Sequence, residues 1–214
     1  MSKRTGAALW VAIALMLWGY FSPTTGLAQD EYTFLRAAAE GDIDTLKEFL
    51  YSGGDINTTG ERNETALHSA VFQAHVEVVK FLLAESADPN IADSFNQTPI
   101  FPAITNYSEH SKDIIRLLLD YGADPNITEE VQGQSPLMIA AYYNHPKIVS
   151  LLMEQGADTQ LSDKEGRTAL DIAQAQGNDE IVSLLMSAPG TEGGRETDTQ
   201  KRPDLRERTR QRAR

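Results

Sequence analysis

No cysteine occurs among the 214 residues, so a disulfide framework, a thiolate metal site and a cysteine nucleophile are all excluded. Histidine is scarce, with only His68, His75, His110 and His145. No H-E-x-x-H, G-x-S-x-G, glycine-rich phosphate loop or calcium loop is present. Asp42 and Asp44 stand where a helix starts, so their carboxylates are expected to cap it and complement its dipole; they are given no ligand role. Gly53 and Gly54 read as a helix-end turn. With no convergent set of reactive groups, an enzyme is the remote reading, and no cofactor or metal is expected.

Positive charge is also thin over most of the chain. Lys3 and Arg4 make the first 28 residues +2, and residues 188–214 carry eight Lys/Arg against five Asp/Glu; the net charge of −12 therefore leaves −17 on residues 29–187. Such a body repels nucleic acid and anionic lipid and favours a basic partner, although acidic residues also serve simply to keep a protein soluble.

The ends differ from the body. A basic start, an apolar run from Ala7 to Phe21 and the small residues Gly26 and Ala28 are the parts of a secretory signal peptide, with cleavage expected after Ala28. The run falls short of the ~20 residues that span a bilayer, which disfavours a retained anchor and leaves no transmembrane span after cleavage. The expected destination, across the inner membrane, is the periplasm. Residues 188–214 have no apolar periodicity and end in PDLRERTRQRAR. They are expected to be a disordered basic tail that is solvated, touches anionic envelope material weakly, or folds back on the body.

Between these ends the chain repeats itself. Thr65, Thr98, Ser135 and Thr168 each open an apolar run with helical spacing, at intervals of 33, 37 and 33 residues, and counting back 33 from Thr65 places an earlier unit at Tyr32. Each run breaks, a second helical pattern follows, and four of the units close on the turns around Asp55, Asp88, Asp124 and Asp158. The hydroxyl residue is expected to cap the first helix, with Pro99 or Pro136 where a missing N–H costs nothing. Pairs such as Val78-Val79, Leu82-Leu83, Ile114-Ile115, Leu118-Leu119 and Ile181-Val182 are expected to form the core between units. Two helices of about nine residues cannot bury their apolar faces alone, so the units must stack. The interval of 37 reflects three residues added around Asn106–Ser111, between the helices, and one added in the turn before Gly133.

Thr65-Ala66-Leu67-His68-Ser69-Ala70, Thr98-Pro99-Ile100-Phe101, Ser135-Pro136-Leu137-Met138 and Thr168-Ala169-Leu170-Asp171, at a period near 33, resemble the T-P-L-H-x-A signature of ankyrin repeats. The resemblance covers about residues 31–187. It implies an all-α solenoid of about five helix-turn-helix repeats with short β-turn fingers, at approximately 30–59, 60–92, 93–129, 130–162 and 163–187. His68 is then the signature histidine, and His75 and His145 fall where the pattern often has one; His110 lies in the insertion.

The resemblance further implies a protein-recognition scaffold that uses fingers and first helices as one concave surface. Carried over by position, the fingers contribute Glu61, Arg62, Phe95, Lys164 and Glu165, and the helix face contributes Phe72, Gln73, Asn106, Tyr142 and Tyr143. Aromatic side chains dominate interface hot spots, and adjacent helical residues such as Tyr142 and Tyr143 cannot both face one core. The expected function is therefore exported, non-enzymatic binding of a protein partner. The alternative is an envelope-tethered structural protein held by its basic tail. Asn57, Asn63, Asn96, Asn106 and Asn126 each stand in Asn-x-Ser/Thr and would be glycan acceptors in a glycosylating host.

Overall fold

The computed structural model describes residues 29–187; the expected signal peptide at 1–28 and the tail at 188–214 lie outside them. Ten helices occur among the described residues, in five consecutive pairs. They are α1 (Gln29–Glu40) with α2 (Ile43–Tyr51), α3 (Ala66–Phe72) with α4 (Val76–Ala84), α5 (Ile100–Thr105) with α6 (Ser111–Asp120), α7 (Pro136–Tyr142) with α8 (Pro146–Glu154), and α9 (Ala169–Gln176) with α10 (Asp179–Met186). The first helices pack in the order α1, α3, α5, α7, α9, and behind them α4, α6, α8 and α10 form a second row. The fold is thus the all-α solenoid that the repeats imply. First helices after α1 are shorter than the nine residues expected, at six to eight.

The hydroxyl residues start three of these helices as their chemistry demands. Thr65, Ser135 and Thr168 are extended N-caps whose side chains accept the N–H three residues on, while the side chain there accepts the cap's own N–H. The reciprocal acceptor is His68 Nδ1 at 3.1 Å, Met138 Sδ at 3.5 Å and Asp171 Oδ2 at 2.8 Å. Thr98 breaks the expectation. There α5 begins one residue late, at Ile100, without a side-chain cap; Pro102 has no N–H for the Thr98 carbonyl, which accepts the Phe101 N–H at 3.0 Å instead, and Phe101, at the reciprocal position, has no side-chain acceptor and is fully buried.

One apolar core runs the length of the stack. Phe34, Leu46, Leu67, Leu82, Ile100, Ile104, Ile115, Leu118, Leu137, Leu152 and Ile181 have no exposed surface or almost none, while Val182 is only partly buried. Asp42 caps α2 through Thr45, as expected.

Two hydrogen-bond ladders tie the repeats where the core does not reach. In the closing turns Asp55, Asp88, Asp124 and Asp158 each accept the N–H two residues ahead. The asparagine so oriented then accepts the aspartate N–H of the next repeat, at 2.9 Å for Asn57, 2.7 Å for Asn90 and 2.7 Å for Asn126. On the opposite edge, His75 Nε2 meets the Ala39 carbonyl at 3.0 Å, the Asn106 amide donates to the Phe72 carbonyl, and the Asn178 amide donates to the Ala141 carbonyl at 2.8 Å. Four of the five Asn-x-Ser/Thr asparagines, all but Asn57, spend their Nδ2 on backbone carbonyls 29 to 34 residues away.

Candidate interaction surface

The fingers form a continuous ridge. Each hairpin closes on itself, Asp93 N–H to the Gln97 carbonyl and Asp163 N–H to the Arg167 carbonyl for example, and each donates to its neighbour: Ser94 to Arg62, Glu130 to Phe95, Lys164 to Gln132. A carboxylate organises each tip. Asp93 and Asp163 accept two N–H groups apiece through one oxygen, and buried Glu129 accepts three, from Val131, Gln132 and Gln134. Glu129 serves the finger with the extra residue, where the longer side chain spans the wider turn. Gly60 stands at this position in the second repeat, and Glu64 takes over by accepting the Arg62 N–H.

The finger residues expected from the sequence accordingly share their surface with scaffold duties. Phe95 is 48% exposed and Val131 beside it 66%. Lys164 donates its amine to the Glu130 carbonyl, and Glu165 pairs with Arg167 at 3.1 Å. Arg167 also grips Asp163 through two nitrogens, at 2.8 and 2.9 Å. Burial opposes the charge on Asp163, but the N–H groups of Arg167 and Glu165 and the Arg167 guanidinium outweigh it and hold the carboxyl below its ordinary range. Glu61 and Arg62 are exposed on the first complete finger.

The remaining five expected residues gather at the other end of the first helices. Phe72 and Tyr142 are the last residues of α3 and α7, and Gln73, Asn106 and Tyr143 are the helix-terminating residues of α3, α5 and α7. One helix length, about 10 Å, separates this group from the fingers, so the ten candidates make two clusters instead of one. Asn106 was expected on an open helix face; its amide is instead bound to Phe72, so it joins two repeats. Phe72 is half-buried and Gln73 exposed.

Tyr142 and Tyr143 are 49% and 47% exposed and meet edge to face, with ring centroids 5.2 Å apart. The insertion extends this pair. It lengthens the loop before α6, replaces the left-handed residue used at Gly41, Ala74, Asn144 and Gly177, and carries Tyr107 onto the neighbouring repeat, where it stacks on His145 at 4.1 Å and 17°. His145 lies in turn nearly parallel to Tyr143, at 6.2 Å. Tyr107, itself 49% exposed, was missed from the sequence; the only signal was an aromatic inside an insertion. His110 stays in the loop, 3.6 Å from Glu109. Burial lowers the pKa of His145 and so favours the neutral ring that stacks here.

Among the described residues no three His, Cys, Asp or Glu side chains come together as a metal site, and no helix is long and apolar enough to cross a membrane. Helical hairpins in a row, stapled along both edges and carrying exposed aromatics on their middle units, define a repeat scaffold. The chain belongs to the ankyrin-repeat family: the family model described as ankyrin repeats (3 copies) matches residues 34–129 and 108–196.

Among curated proteins, an ankyrin repeat protein of Escherichia coli (strain K12), YahD, is 31% identical over 72% of this chain and 94% of its own. An L-asparaginase of Dirofilaria immitis is 29% identical over 70% of this chain but only 25% of that protein. Neurogenic locus notch homolog protein 1 of Xenopus tropicalis is 27% identical over 70% of this chain and 6% of its own. In the two latter proteins the chain spans a minor part. Ankyrin repeats are in general protein-interaction modules.

Proposed function

We infer that the protein is an exported, non-enzymatic binding module that holds a protein partner against the concave side of its central repeats. The observation that carries this reading is the cluster of Tyr107, Tyr142 and Tyr143, each about half exposed although the core they adjoin is closely packed. Side chains of this kind supply large contact area at small entropic cost, which is why they anchor interfaces. The charge of −17 on residues 29–187 favours a partner with a basic face. Export to the periplasm rests on the N-terminal pattern of residues 1–28. The L-asparaginase match brings no activity with it, because it covers a quarter of that protein.

Affinity capture from the native envelope with the wild-type chain and with Tyr142→Ala/Tyr143→Ala tests the reading. Loss of one or more partners from the variant, at about tenfold or greater, is the expected result. Unchanged recovery of every partner removes this face from the interface. Cell fractionation with N-terminal sequencing checks export: a new N-terminus at Gln29 is expected, and retained Met1 in a membrane fraction would contradict cleavage.

A further inference from the structure

The tyrosine cluster has a candidate occupant in the chain itself. Residues 201–214 hold seven Lys/Arg against Asp204 and Glu207, a charge of +5, directly tethered to a body of −17. We propose that this Arg-rich segment docks on the Tyr107, Tyr142 and Tyr143 surface of its own repeats, so that an external partner must displace it. Guanidinium groups stack on tyrosine faces, and the cluster presents three such rings in two repeats. The rim has the matching sign. The Asn178 amide bound to the Ala141 carbonyl brings the start of α10 beside the end of α7, and Asp179 and Glu180 are exposed there. Glu109 stands on the insertion side. Lys112 and Lys147 are the exposed amines nearby on α6 and α8.

The tether has the right length. From Ser187 the path runs back along α10, about 12 Å for eight residues, and across one or two helix spacings of about 10 Å each. For a linker of thirteen residues, the length of 188–200, random-coil statistics give a root-mean-square span of about 20 Å, and full extension reaches about 45 Å. A linker whose mean span matches the gap gives an effective concentration of about a millimolar, enough to populate a contact too weak to hold a free peptide. The contact needs no external partner, so it is tested without one and stands or falls separately from the binding function.

Because the chain has no native cysteine, Ala213→Cys places a single spin label in the segment without touching an arginine. Amide signals of the full chain are then compared with the label oxidised and reduced. The expected result is broadening at residues 107 and 142–145 more than about twofold that at finger residues 94–96, abolished in about 0.5 M salt. The same focus should vanish in Tyr142→Ala/Tyr143→Ala. It should vanish also in Arg206→Gln/Arg208→Gln/Arg210→Gln/Arg212→Gln, which leaves every repeat intact. Absent or uniform broadening overturns the proposal, as does a focus on the fingers. Mixing spin-labelled chain of natural isotopic abundance with unlabelled isotope-enriched chain distinguishes a contact between copies; equal broadening there also overturns it.

Discussion

A single histidine shows how much one residue of a repeat does. His68 Nδ1 accepts the Thr65 N–H at 3.1 Å while Nε2 meets the Gln97 carbonyl of the next finger at 3.0 Å, so the ring must be neutral with its proton on Nε2. Burial lowers its pKa more than the Gln97 carbonyl and the nearby carboxylates of Asp93 and Glu64 raise it. The unfolded chain therefore takes up the proton first. Stability is complete above the ordinary imidazole value of about 6.5 and falls as pH drops through the interval below it. Burial acts on His145 in the same direction. Urea denaturation at about pH 7.5 and about pH 5 should show the decline, and His68→Gln should reduce it while costing about 1–3 kcal/mol at the higher pH. A pH profile unchanged by His68→Gln would mean that this ring is not the titrating group. The signature made the histidine legible. Its second bond was not, because the acceptor lies 29 residues away.

In four of the five hairpins the turn between helices uses a left-handed residue, supplied by Gly41, Asn144 and Gly177 but also by Ala74, at φ 56°. An L-residue with a Cβ pays about 1–2 kcal/mol there, and glycine gives back about 0.5–1 in unfolded-state entropy. Ala74→Gly should therefore stabilise the protein by about 0.5–1 kcal/mol in equilibrium denaturation, with Asn144→Ala moving the other way. The helices were legible from hydroxyl starts, apolar spacing and closing turns. Thr98 shows the limit: Pro102 has no N–H for the Thr98 carbonyl, α5 begins one residue late at Ile100, and Phe101 offers no reciprocal acceptor, so the same motif letters give a different start.

The whole molecule is a one-dimensional stack, and its cooperativity should be local. Leu118 in α6 is fully buried, and Leu118→Ala should cost about 2–5 kcal/mol. Since each repeat leans chiefly on its neighbours, hydrogen exchange should accelerate most in α4, α6 and α8 and least in α1. Uniform acceleration would indicate a single cooperative unit instead.

Period, capping chemistry and turn chemistry are local properties, each recurring about every 33 residues, so the chain alone determined the family, the positions of the hairpins and the identity of the core. Where the period fails, local rules stop. The three added residues around Asn106–Ser111 could be counted from the sequence, but their path depends on what the adjacent repeats offer: a carbonyl at Phe72 for Asn106, and the ring of His145 for Tyr107. Tertiary structure alone decided that Asn106 is a staple and that Tyr107 completes an exposed aromatic surface with Tyr142 and Tyr143, because both outcomes rest on contacts between residues more than thirty positions apart.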